Sequence, residues 1–161
     1  MRGGGQLKAT KTPVDELKAF EVATRDLVGV ALRSVADLQI SLAQFRLLLV
    51  LHDRGRSTST ECAQALGVVG SSVTRLADRL HASGHLSRGA DPSNRSVVTL
   101  ELTDDGRSLV RQVTSRRRRE LSRVLDRIDP ADRATCAAAL RTLHERLGDG
   151  YARDRYRPMP L

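Results

Sequence analysis

Tryptophan is absent, and Phe20, Phe45, Tyr151 and Tyr156 are the whole aromatic complement of the 161 residues. Binders of single-stranded nucleic acid stack bases on aromatic rings, so this composition argues against such a platform. Lysine is nearly as scarce, with only Lys8, Lys11 and Lys18 among 27 basic residues. No apolar run reaches the ~20 residues a membrane-spanning helix requires. The opening MRGGGQLKATKTP lacks the apolar core of a secretory signal. The chain is therefore expected to be cytoplasmic, with no membrane partner. Cysteine is limited to Cys62 and Cys136, both at apolar helical positions, and both are expected to be reduced core residues. No Gly-rich phosphate loop, nucleophile elbow or recognisable pair of catalytic carboxylates is present, so neither an enzyme nor a cofactor is expected.

What the chain has in quantity is arginine. The 27 basic residues face 19 acidic ones, for a formal net charge of +8 carried almost wholly by guanidinium groups. Such a surplus favours a polyanionic partner, either nucleic acid or an anionic membrane surface. The total cannot choose between them; the placement of the charges has to.

Residues 1–12, rich in Gly and Lys, read as a flexible arm. From Val14 the apolar residues Leu17, Phe20, Leu27, Val28, Ala31, Val35 and Leu38 fall at helical spacing, which predicts a long first helix. SLAQFRLLLVLHDRG then predicts a more buried helix ending at Gly55. Thr58-Ser-Thr-Glu61 matches a capping box opening a third helix, with Cys62, Ala63 and Leu66 as its apolar stripe. Gly67 breaks it. A fourth helix follows from about Gly70 to Ser83, with Val73, Leu76, Ala77 and Leu80 inward and Gly84 as a left-handed stop. HLSR and SVVTLEL are the arms of a hairpin around the turn-forming GADPSNR, with Val98, Leu100 and Leu102 expected on the buried face. Thr103 caps a helix running to about Arg127, and Asp129-Pro130 opens a last one through Leu147, stopped by Gly148. The expected fold is mainly α with a small β-hairpin: one domain over 13–147, then a loose tail over 148–161.

Two short helices joined by a Gly-containing turn form a helix-turn-helix, and the hairpin adds a wing. Small hydroxyls and guanidinium groups on the second helix suit base edges in a major groove. An arginine at a thin loop tip, here Arg95, suits the negative minor groove, and Asp91 could hold it as an ion pair. Around this motif Arg54, Arg56, Arg75, Arg79, Arg88 and Arg95 outnumber Glu61, Asp78 and Asp91.

In LAQFRLLLVL (42–51), STSTECAQALGV (57–68), SSVTRLADRLHASGHLSR (71–88), DPSNRS (91–96) and LTDDGR (102–107), the chain resembles the MarR family of bacterial winged-helix transcriptional regulators. The resemblance runs from about Val14 to Leu147, in the family's order. It implies a winged helix-turn-helix head over about 41–103 and a helical dimerisation base from about 13–38 and 104–147. It also implies a homodimer, an inverted-repeat operator in double-stranded DNA, and repression relieved by a small molecule, often an aromatic acid. By position, Ser71, Ser72, Thr74 and Arg75 would read bases. Arg95 would enter the minor groove with Asp91 as brace, and Thr58 and Arg88 would lie near phosphates; Arg79, also a candidate DNA contact, suits a phosphate or plain solvation equally. Val69 and Gly70 depart from the family pattern, which commonly has a Ser cap and a polar residue there. The wing also lacks the extra acid and base around its tip. These departures motivate the alternative, a dimeric winged-helix interaction module with little or no specific DNA binding.

Plainer readings stand beside these. Hydroxyls at 71, 72 and 74 also suit a merely solvated helix. The four arginines of RRRRE, 116–119, point four ways around a helix and read as a mostly solvated stretch. Arg117 differs, because it continues the apolar line Val113–Arg117–Leu121–Val124. A guanidinium there needs an acidic partner, the favoured reading, or an anionic ligand, whose identity is open. His81 and His85 are four apart, but Gly84 interrupts them and no third ligand has suitable spacing, so no metal is expected.

Overall fold

The helix Leu42–Arg54 is the centre of the core, and the reason is its sequence. LAQFRLLLVL has apolar residues on nearly every side, so Phe45, Leu47, Leu48 and Leu51 are all buried. Ser41 opens the helix with a capping box: its hydroxyl accepts from the Gln44 N–H at 3.1 Å, and the Gln44 side chain accepts from the Ser41 N–H at 2.8 Å. Gly55, at φ 76°, closes it.

The computed structural model describes residues 11–91, 94 and 97–153, without the side chains of 148–153. In chain order its elements are α1 (Val14–Arg33), α2 (Leu42–Arg54), β1 (Ser57–Thr58), α3 (Ser59–Leu66), α4 (Gly70–Ala82), β2 (Leu86–Ala90), β3 (Val98–Leu102), α5 (Asp104–Leu125) and α6 (Pro130–Arg153). The mainly helical class and the wing hairpin match the sequence expectation. The strand β1 does not: two residues are too short to announce themselves by alternation. It pairs antiparallel with β3, which also pairs with β2, so the sheet order is β1-β3-β2.

The central strand corrects one expected alternation. Leu100 and Leu102 are buried as expected, but Val98 is 50% exposed and Thr99 only 4%. Thr99 sits between Thr58 of β1 and Gly89 of β2, whereas Val98 lies past the end of β1. Lateral cover therefore decides burial here, not the pleat alone.

Three more boundaries differ from expectation. α1 ends at Arg33, and residues 34–39 form turns that still bury Val35. α6 passes Gly148 and continues to Arg153, so the helix includes part of the expected tail. A glycine inside a helix costs only about 1 kcal/mol, and no proline follows until Pro158. Cys136 is exposed on α6, whereas Cys62 is fully buried as expected. Most of the arm over 1–12 and the last residues of the tail lie outside the described residues.

The start of the long helix α5 is fixed to the turn after α4. Gly84 takes φ 77° just after α4. Thr103, the N-cap of α5, donates its hydroxyl to the Gly84 carbonyl at 2.7 Å and its N–H to the His85 carbonyl at 3.3 Å. It also accepts from the Gly106 N–H at 3.1 Å. Gly106 packs so closely that a Cβ there would overlap the His85 carbonyl oxygen, a backbone atom that cannot swing aside. Gly106→Ala should therefore destabilise the fold by about 1–3 kcal/mol through overpacking. Urea unfolding of the two proteins measures it; equal midpoints would contradict this contact.

Candidate nucleic-acid interface

Helix α4 has two different faces. Val73, Ala77 and Leu80 are buried against the core, with Leu76 partly so. Ser71, Thr74, Arg75 and Arg79 are exposed and Ser72 is half-buried. The five sequence-predicted contacts on α4 thus share the outward side of one rod, and its inner side is held by apolar packing. A hydrogen bond from the Arg46 guanidinium to the Leu66 carbonyl at 3.3 Å ties α2 to the end of α3, bracing the turn before α4. Nothing local in the sequence announces that long-range contact.

The polar groups on this face are not all equally available. Thr74 Oγ1 donates to the Gly70 carbonyl at 3.2 Å, so it offers a methyl and lone pairs outward. Among the described residues, the guanidinium groups of Arg75 and Arg79 make no hydrogen bond or ion pair within the chain. As expected, Val69 supplies no side-chain cap, so the first turn of α4 lacks a side-chain acceptor for its free N–H groups. Arg88 on β2 instead hydrogen-bonds the Asp78 carboxylate of α4. The sequence expectation placed Arg88 near phosphate; in this structure its charge is shared with Asp78 and links the wing to the helix.

Thr58 is likewise committed locally. Its hydroxyl accepts from the Glu61 N–H at 3.2 Å and donates to Glu61 Oε2 at 2.9 Å, while its own N–H reaches Oε2 at 2.7 Å. The expected capping box is present. The Thr58 N–H and then its hydroxyl hold the Glu61 carboxyl below the usual carboxylate range. This cap contributes above that range and weakens as pH falls through it.

At the wing base, the Asp91 N–H donates to the Val97 carbonyl at 2.9 Å, and the Asp91 carboxylate accepts from the Asn94 N–H at 3.3 Å. Arg95 lies outside the described residues, and so does the expected Asp91–Arg95 pair. Just before β1, Arg56 donates twice to Glu101 Oε2 of β3, at 2.9 and 2.8 Å, an ion pair that the sequence reading did not anticipate.

The line of α5 toward the core carries a correction. No acid pairs with Arg117 among the described residues. Its guanidinium stands 5.3 Å from the Phe45 ring centroid, and Nη2 donates to Ser34 Oγ at 3.1 Å. Nε is buried without a hydrogen-bond partner, and burial disfavours the charged form. A cation–π contact and one hydroxyl occupy the place expected for a carboxylate. The neighbouring Arg116 is also partly buried, 3.1 Å from Asp37, so the arginine run is not uniformly solvated.

His81 Nδ1 lies 2.9 Å from the Leu86 carbonyl and His85 Nδ1 lies 2.8 Å from Ser83 Oγ, which are local structural contacts. Among the described residues no three His, Cys, Asp or Glu side chains gather as metal ligands would. No helix among them is long and apolar enough to cross a membrane.

Comparison with known proteins gives a consistent result. Residues 38–95 match the profile of the MarR family. The chain is 30% identical over 98 residues to the multiple antibiotic resistance protein MarR of Salmonella typhimurium, covering 61% of this chain and 68% of that protein. The crystal structure of RV1404 from Mycobacterium tuberculosis superposes with a TM-score of 0.76 at 34% identity, covering 86% of this chain and 97% of that one. A mutant MarR from E. coli, solved in complex with operator DNA, shares the fold with a TM-score of 0.64 at 21% identity, over 81% of this chain and 94% of that one.

Burial separates the two thiols. Cys62 is pushed up to about 11, chiefly by desolvation and then by the Glu61 charge. Iodoacetamide at pH 8 should therefore leave Cys62 unmodified in the folded protein and alkylate it once urea unfolds the chain. Peptide mapping reads the outcome; rapid labelling of folded Cys62 would contradict its burial.

Proposed function

The chain belongs to the MarR family of winged-helix transcriptional regulators, and from that premise we propose that it acts as a homodimeric repressor. In this reading it binds an inverted-repeat operator in double-stranded DNA and releases it when a small anionic or aromatic effector binds. The observation that carries the reading is the two-faced α4. Val73, Ala77 and Leu80 anchor it, and Ser71, Ser72, Thr74, Arg75 and Arg79 line its outward side. A rod of that width and chemistry fits a major groove. Arg95 on the wing takes the minor groove with Asp91 beside it, and Thr58 and Arg88 lie toward the phosphates while keeping their local contacts.

The dimer is supported by apolar surface without cover. Leu17, Phe20, Leu27 and Leu32 on α1 are about half exposed, and Leu140, Leu143 and Leu147 on α6 are exposed too. Helices with uncovered apolar stripes mark an association surface. A twofold axis through that base presents two α4 helices about one DNA turn apart, roughly 34–36 Å. For the effector, Arg117 is the candidate anchor: an anion there would complete a guanidinium that has a ring and a hydroxyl but no acid.

In a mobility-shift series, Arg75→Ala should lose about 1–3 kcal/mol of operator affinity and relax preference at one base position. Arg95→Ala should weaken binding with less change in base preference. Unchanged affinity and selectivity in Arg75→Ala would remove base reading from α4. Equal affinity for a promoter fragment and random duplex would replace the proposal with the winged-helix interaction module.

A further inference from the structure

Helix α4 carries one acidic residue, Asp78, and it stands on the exposed side. Positions 71, 74, 75 and 78 follow one another at helical spacing, so Asp78 continues the line of Ser71, Thr74 and Arg75 one turn further along the rod. Its side chain is 54% exposed. A carboxylate is the wrong charge for a face that meets a polyanion. It repels any phosphate that comes within a screening length, about 8–10 Å at ordinary salt.

The structure shows which cation answers it. Arg75 is three residues before Asp78 and Arg79 one after, yet neither guanidinium pairs with it among the described residues. The partner is Arg88 of β2, two residues beyond buried Leu86 and so on the same side of that strand. Arg88 is the only charged residue of β2, and its side chain is 34% exposed. The pair therefore sits at the surface where wing and helix meet, and a phosphate arriving there finds no net charge. A neutral amide at 78 could accept the same hydrogen bond. What the carboxylate adds is its charge.

We infer that Asp78 restrains sequence-independent binding: it cancels the phosphate attraction of Arg88 and so lowers the chain's hold on any duplex without touching base preference. This rests on the duplex-binding reading above, but not on the symmetry of the operator. Each cation that meets a phosphate strengthens the hold on every duplex alike. Arg75 and Arg79 are uncompensated on the same helix, while Arg88 is withheld. A regulator competing with a genome of random sites gains when that common term is small.

The test uses the full chain on a random duplex, with affinity measured between about 50 and 200 mM salt. Each phosphate neutralised adds roughly 0.9 to the slope of log affinity against log salt, so Asp78→Asn should bind more tightly at low salt and lose about threefold more affinity across that range than the native chain. Asp78→Glu keeps the charge and should keep the native slope. Arg88→Ala alone should weaken binding. Combined with Asp78→Asn it should return to the native slope, because the pair and its double removal carry the same net charge. The pair is exposed, so every variant should fold with a near-native urea midpoint. Base preference, read on sequences selected from random duplexes, should stay native throughout. If the pair were only a pin between wing and helix, Asp78→Asn would bind more weakly at an unchanged slope, and that result overturns the inference. A changed base preference overturns it too, by making Asp78 a reader of a base. A native chain that binds no duplex overturns the DNA-binding reading and the restraint together. A steeper slope for Asp78→Asn in a chain that selects no inverted repeat supports the restraint and overturns only the operator.

Discussion

The burial of α2 is the constraint on which the rest of the structure depends. Phe45, Leu47, Leu48 and Leu51 occupy several sides of one helix, and α3, α4, β3 and α5 each pack against it. Fully burying such a side chain is worth about 1.5–3 kcal/mol, against about 0–1 kcal/mol for an exposed ion pair. The apolar helix therefore determines where the head's elements stand. The polar contacts around it adjust angles that packing leaves soft. The outward side of α4 is free to carry recognition chemistry because its inward side is fixed in this way.

Arginine serves two purposes in this chain. Arg33, Arg46, Arg56, Arg88, Arg107 and Arg116 bond to acids or backbone carbonyls within the chain, and Arg117 stacks on Phe45. Arg75 and Arg79 remain open on the outward side of α4. The arginines bound within the chain are thus set apart from those whose guanidinium groups stay open to a phosphate. At Arg33, Arg56 and Arg107 the planar fork uses two donors at once, and at Arg117 a flat cation lies against a ring, contacts a lysine could not reproduce.

Local signals in the sequence were reliable where local physics decides. The Thr58 capping box, the left-handed Gly84, the Thr103 cap and the inward Val73–Ala77–Leu80 stripe could all be read without coordinates. The outward set on α4 followed from the same periodicity. Contacts between distant segments could not be read. The Asp78–Arg88 pair, the Arg56–Glu101 pair and the β1 strand depend on which segments meet. Arg117 shows the limit: helical spacing placed it correctly toward the core, yet its counterpart was an aromatic ring from α2, not a carboxylate. Val98 and Thr99 exchanged places for the same reason, since the covering strand came from elsewhere in the chain.

The turn after α4 carries a mechanical consequence. Thr103 suspends α5 from the carbonyls of Gly84 and His85, and Gly106 lets the helix sit directly against that backbone. Side chains in a core can absorb small movements by changing rotamer; a backbone-to-cap junction has no such slack. A shift of the start of α5 therefore carries the backbone of the turn after α4 with it, as a hinge pin carries the leaf fixed to it.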